Sequence, residues 1–226
     1  MFHDLINLFY PKDCAICEEI LTKNEHVICT KCLHELPVSN YHLHNDNPVA
    51  KVFYGRINLE SATSLLLFHK KSNVQTLIHQ LKYRGRKEIG GYLGIWTGNT
   101  LTSVDNFKNI DIIIPVPLHK KKLKSRGYNQ VEDFGKEIAN VISAQYIDNV
   151  LLKTSFTATQ TLKSRLARWN NIEETFVVQN PELLKNKHVL LVDDLITTGA
   201  TIEACANILA DIPGIKISVV SMAFTE

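Results

Sequence analysis

Long apolar runs are missing from this chain of 226 residues: none approaches the ~20 consecutive residues that a membrane-spanning helix needs, so no membrane insertion is expected. The opening segment "MFHDLINLFYPKDC" lacks a basic lead, a long apolar region and a small-residue cleavage site, which argues against a secretory signal and for a cytoplasmic protein. A strong charge of one sign is also missing. The net charge of +2 is too small to argue for a polyanion partner by itself. No GxxxxGK[ST] occurs, which excludes a P-loop nucleotide site, and no Asp-Thr-Gly of the aspartic-protease kind is present. Internal repeats and low-complexity tracts are absent. What remains is a chain with 45% hydrophobic and 21% charged residues, balanced enough to fold and long enough for one domain with a small appendage.

Cysteine is sparse except at the start. Four of the five fall in "CAIC" (Cys14, Cys17) and "CTKC" (Cys29, Cys32), while Cys205 stands alone. Each CxxC turn aims two thiolates at one point, and two such turns make the closed tetrahedral sulfur set that structural Zn²⁺ prefers. Disulfides are the rival reading, disfavoured in a cytosolic chain. A redox CxxC explains one pair only. The chain divides on this reading into a zinc-ribbon module (1–40), a hood or linker with the first elements of the main domain (41–108), and a core (109–226).

The middle of the chain opens with an Asn-, Pro- and His-rich stretch, with a short strand expected near residues 52–54. "SATSLLLFHK" reads as a buried strand. "SNVQTLIHQLKYRG" spaces Val74, Leu77, Ile78 and Leu81 as one helical face, and "GGYLGIWTGNTL" reads as a closely packed helix. From residue 109 strands and helices alternate: "NIDIIIPVP", "QVEDFGKEIANVISA", "YIDNVLL", "HVLLVDD", "ATIEACANILADI" and "KISVVSMAF". Such alternation predicts an α/β fold with a parallel sheet flanked by helices.

The stretch "HVLLVDDLITTGAT" (188–201) sets Asp193 and Asp194 at the end of an apolar strand and then leads through threonines and a glycine into a helix. Ligands of open parallel sheets sit beyond the carboxyl ends of the strands. Backbone amides in a tight turn at a helix N-terminus form an anion cup, to which Thr197, Thr198 and Thr201 add hydroxyls around Gly199 and Ala200. Acids beside a phosphate repel it unless they hold another part of the same ligand. A ribose phosphate satisfies both halves, its 5'-phosphate in the cup and its vicinal hydroxyls donating to the acids. The bland alternative is a strand-turn-helix whose Asp and Thr side chains cap the helix.

"VLLVDDLITTGAT" resembles the ribose-phosphate motif of type I phosphoribosyltransferases, which bind phosphoribosyl pyrophosphate (PRPP) and Mg²⁺. "IIPVPLHKKKLKSRGYNQ", "TATQTLKSRLARWNNI" and the four cysteines extend the resemblance over almost the whole chain, to the competence protein F (ComF/GntX-like) family. The resemblance implies a type I phosphoribosyltransferase-like sheet behind a zinc ribbon. Asp193 and Asp194 would then serve the ribose, and residues 197–201 the 5'-phosphate. Pro115, Val116 and Pro117 would form the pyrophosphate loop, and Arg165 and Arg168 would lie on a loop closing over the reaction centre. It also implies handling of incoming single-stranded DNA in natural transformation, with a helicase-like competence protein as a partner.

Basic residues cluster as "KYRGRK", "HKKKLKSR" and "KSRLAR". Lys82, Arg84, Lys120, Lys122 and Arg126 suit phosphate contact, of pyrophosphate or of a nucleic-acid backbone, with Tyr83 available for stacking. A solvated basic surface is the competing reading. Two function classes stay open: a binding protein for PRPP and DNA, or an enzyme transferring ribose 5-phosphate to a base or amine with release of pyrophosphate.

Overall fold

The computed structural model describes residues 12–154 and 175–226. Helix α1 (Thr30–His34) lies in the cysteine module and α2 (Pro48–Lys51) follows. Then come β1 (Ser61–Phe68), α3 (Asn73–Tyr83), α4 (Glu88–Thr102), β2 (Ile112–Pro115), α5 (Lys120–Arg126), α6 (Glu132–Ile142), β3 (Gln145–Tyr146), β4 (Leu151–Thr154), β5 (Thr175–Val178), β6 (His188–Ile196), α7 (Ala200–Ala210) and β7 (Lys216–Thr225). Five strands join in the order β1-β7-β6-β2-β3, and every pairing is parallel.

The continuous apolar runs expected of strands covered on both faces are what β6 shows. Val189 and Leu191 belong to a buried cluster with Ile202, Cys205, Ala206 and Leu209 of α7, and Leu190 and Val192 to another with residues of α3, α4 and α6. All four are fully buried, each contributing ~1.5–3 kcal/mol of transfer free energy at most. Side chains alternate across a strand, so one run of four residues ties the two helical layers together.

Helix α4 packs on α6 through Gly90, Gly94 and Gly98, one turn apart. A Cβ on Gly94 would stand 2.6 Å from the Phe134 carbonyl oxygen, and one on Gly98 2.7 Å from Val141 Cβ. The cysteine module adds to the same core: Cys14, Ala15, Ile28 and Leu36 are buried in one cluster with Leu65, Leu66, Val74 and Leu77. Residues 37–39 run along the free edge of β1, where the Leu67 amide donates to Pro37 O and the Ser39 amide to Leu65 O, both at 2.9 Å. That covers an edge otherwise open to strand pairing.

Two local expectations are corrected, and one basic stretch gains a defined structure. Residues 52–54 are not a strand: Asn47 caps α2 by accepting from the Ala50 amide, Pro48 opens the helix, and the chain leaves in turns with Phe53 buried. "YIDNVLL" is not one strand but two, because the chain turns after β3 and β4 pairs antiparallel with β5 outside the main sheet. The basic stretch after Leu118 is helical, with His119 Nδ1 accepting from the Lys121 amide and Gly127 ending α5 in the left-handed region at φ 78°.

Candidate functional site

The turn between β6 and α7 is largely exposed and leaves the helix start uncapped. Thr197, Thr198, Ala200 and Thr201 are exposed, and Gly199, buried at φ 73°, is the N-cap of α7 with no side chain capping the helix. The first amides of a helix have no intrahelical acceptor, so an uncapped start leaves donors for an anion. Gly199 is required twice over. Its backbone is left-handed, and a Cβ there would meet Phe53 Cε1 at 2.6 Å and Val52 Cγ1 at 2.7 Å.

The residues that press on this turn include one that sequence reasoning missed. Arg56 donates through Nη1 to Thr198 O at 2.9 Å and to Val52 O at 3.0 Å, and its Nη2 pairs with Glu203 of α7. One guanidinium thus ties the 52–57 turns to both sides of the 197–201 turn. "FYGRINLE" carries no local signal for this, because Glu203 lies 147 residues further on.

The two acids differ from their expected setting. Strand β6 continues through Ile196, and Asp193 and Asp194, being neighbours on a strand, leave it on opposite faces. Asp194, buried, is met by Lys82 Nζ of α3 at 2.7 Å, an ion pair whose side chains are 12% and 18% exposed. Asp193 accepts from the Asp194 amide at 2.8 Å and lies on the α7 side, where its charge helps raise the Cys205 thiol, already raised chiefly by burial. Burial first, and the neighbouring Asp194 charge second, push the Asp193 carboxyl up to about 7. The acids therefore do not stand free side by side, and Lys82, expected among the DNA-contacting cations, is engaged with one of them.

The other expected residues separate into distinct places. Lys82, Lys122 and Arg126 line one cleft of about 290 Å³ together with Tyr83, Gly85 and Ser125. Arg84 borders another with Asp13, Glu18, His79, Gln80 and Arg86, and Lys120 a third with Pro115, Pro117, Asp148 and Lys153. Val116 is buried, its amide donating to Val192 O and its carbonyl accepting from Asn129, so the "PVP" segment is anchored to the end of β6. Arg126 donates to Gln130 at 2.5 Å and lies 5.5 Å from the Tyr83 ring centroid. Tyr128 is buried and donates its hydroxyl to Leu81 O, an anchor and not a stacking face. Lys163, Arg165, Arg168 and Trp169 lie outside the described residues.

At the other end of the chain the sulfur atoms of Cys14, Cys17, Cys29 and Cys32 all lie within 4.8 Å of one another. Amides of Ile16 and Cys29 approach Cys14 Sγ at 3.5 and 3.3 Å, and the Cys32 amide approaches Cys29 Sγ at 3.5 Å, donors that favour thiolates. Burial opposes ionisation of Cys14, but these backbone donors outweigh it and bring the thiol to about 7. Burial and the neighbouring thiols drive Cys32 the other way. Four crowded thiolates need a cation to coexist, and a soft, tetrahedral sulfur set fits Zn²⁺. The chain's five cysteines allow one such centre, and it is structural.

Among the described residues no helix is long and apolar enough to cross a membrane. A double zinc ribbon domain model matches residues 5–42, and a phosphoribosyl transferase domain model matches residues 132–222, which include both acids and the anion cup. Over 199 residues, 87% of this chain and 83% of the relative, the sequence is 26% identical to DNA utilization protein YhgH of Shigella flexneri. The Escherichia coli K12 protein of that name is 25% identical over the same length. Competence protein F of Haemophilus influenzae is 29% identical over 114 residues, 50% of each chain. With a four-thiolate ribbon packed on a parallel, phosphoribosyltransferase-type sheet, and with relatives of both names, the chain matches the ComF-like family in both of its parts.

Proposed function

We propose that this protein binds PRPP, or another ribose phosphate, at residues 193–201 and serves the handling of single-stranded DNA as a cytoplasmic competence protein. The observation that carries the first half is the uncapped, threonine-lined start of α7 directly after Asp193 and Asp194. The 5'-phosphate would take the free amides and hydroxyls, and the two carboxylates would meet the sugar from either side of the strand. Hard oxygen donors are what Mg²⁺ takes, and it is commonly held by one or two carboxylates plus ligand phosphates. Because the two leave the strand on opposite faces, one of them, Asp193 or Asp194, would supply such a carboxylate, with the ion neutralising pyrophosphate charge. Pro115, Val116 and Pro117, anchored at the end of the adjacent strand, would take the pyrophosphate as it leaves the sugar.

The DNA half rests on the relatives' names and on the basic cleft beside the site. Its surface offers Lys122, Arg126 and the exposed Tyr83, a mixture suited to backbone phosphates and a stacked base. A helicase-like competence protein is the partner this role would call for.

Calorimetric titration with PRPP and Mg²⁺ tests the pocket. Binding is expected in the wild type and lost in the Asp193→Asn, Asp194→Asn double variant; no heat and no thermal shift in the wild type would remove the proposal. Single-strand affinity must fall steeply with added salt, as phosphate neutralisation requires. Pyrophosphate release from PRPP with some base or amine would instead make the protein a transferase.

A further inference from the structure

Lys82 belongs to two places at once. Its ammonium closes the ion pair with Asp194, and its side chain also lines the cleft of about 290 Å³ with Tyr83, Gly85, Lys122, Ser125 and Arg126. Among the described residues no carboxylate lines that cleft: the counter-charge of Lys82 is Asp194, outside the lining, and Lys122 and Arg126 meet none within it. Tyr83 is 64% exposed at its rim, next to a guanidinium already positioned by Gln130. A lysine ammonium carries three donors on a flexible stem, so it can turn from one acceptor to another without moving the backbone. An anion entering the cleft competes with Asp194 for it.

We propose that the cleft takes a phosphodiester of a single strand and that Lys82 couples it to the acid site: phosphate in the cleft draws the ammonium off Asp194 and frees that carboxylate for a sugar hydroxyl. The coupling rests on the reading of residues 193–201 as a ribose-phosphate site. The exposed Tyr83 face selects a nucleotide over a bare anion, since free pyrophosphate has nothing to stack there. Coupling of this kind is reciprocal, so ribose phosphate at the acids also strengthens the cleft's hold on a strand.

The test is calorimetric titration of the full chain with ribose 5-phosphate, alone, with saturating oligothymidylate and with saturating inorganic pyrophosphate. Oligothymidylate is expected to raise the affinity at least about fivefold, and Lys82→Met to abolish the enhancement. Equal affinity in all three titrations, or a loss of affinity with the strand, overturns the coupling. Enhancement by pyrophosphate alone overturns the assignment of the occupant. Should ribose 5-phosphate bind under no condition, the reading of the acid site fails, and the cleft is judged separately by the affinity of a fluorescent oligothymidylate. That affinity must rise in Asp194→Asn and the rise must shrink when Lys82→Met is added; an unchanged affinity in Asp194→Asn overturns the shared role of Lys82.

Discussion

At the scale of single residues, the site holds its charges at a cost. Asp193 has a carboxyl at about 7, above the ~3.9 of an unfolded chain. The folded protein therefore binds a proton that the unfolded chain releases. The resulting penalty is absent below about pH 4, grows as pH rises, and is complete above about pH 7. Asp193→Asn keeps an oxygen for the Asp194 amide and removes the charge. Urea melts should show the variant more stable than wild type at pH 8, by on the order of 1–3 kcal/mol, with the gap closing toward pH 4. A gap that does not narrow on acidification would show that burial of this charge is not its source. Gly199 is constrained differently, by its backbone and by Phe53. Gly199→Ala should cost about 2–4 kcal/mol in the same melts and weaken anion binding, because the turn must open to admit the methyl group. Unchanged stability would mean that the 52–57 turns yield freely.

Between elements, close approach and long-range ties decide the geometry. Gly90, Gly94 and Gly98 of α4 let its backbone rest on α6, and Gly94 has least room, with Phe134 O and Glu137 Cβ at 2.6 and 2.9 Å from a would-be Cβ. Gly94→Leu should lose several kcal/mol by forcing the helices apart, whereas Gly91→Ala, whose nearest neighbour would be a flexible Glu137 side chain at 3.8 Å, should stay within about 1 kcal/mol of wild type. Equal effects in denaturant melts would contradict the packing. Much of this level was legible in the sequence. Helical spacing identified α3 and α6, continuous apolar runs identified β1, β2 and β6, and the glycine-rich, apolar character of α4 signalled a packed helix. Capping overrode β-propensity at residues 52–54, and the turn inside "YIDNVLL" was marked by Asp148 and Asn149, a signal outweighed by the apolar residues on both sides. In the site, the acids and the Thr/Gly turn were readable because strand end, turn and helix start are contiguous. Lys82 on Asp194 and Arg56 on Glu203 were not, since each pair spans more than 110 residues and only the packed layers bring them together.

For the molecule as a whole, the zinc centre is joined to the helix that carries Lys82, and so to Asp194, through a continuous path. Cys14, Cys29 and Cys32 are buried in the cluster that holds Leu77, Ile78 and Leu81 of α3, the helix that carries Lys82. Just beyond that helix, Arg86 donates to the Asp13 carboxylate and to Asp13 O, both at 2.9 Å, clamping the end of α3 to the first CxxC turn. A ribbon this short has no core of its own and folds only with its metal. Removing zinc should therefore unfold the ribbon and strip one side of α3, so that the phosphoribosyltransferase-type domain melts earlier in the same transition. A drop of at least ~5 °C is expected, equivalent to roughly 2 kcal/mol for a chain of this size. Calorimetry of zinc-loaded protein against chelated protein and against Cys29→Ser measures it. Two transitions, with the upper one unmoved by chelation, would mean that the ribbon is an independent appendage. A single lowered transition, accompanied by weaker ribose 5-phosphate binding, would mean that the metal holds α3, and with it Lys82, in register with the acids.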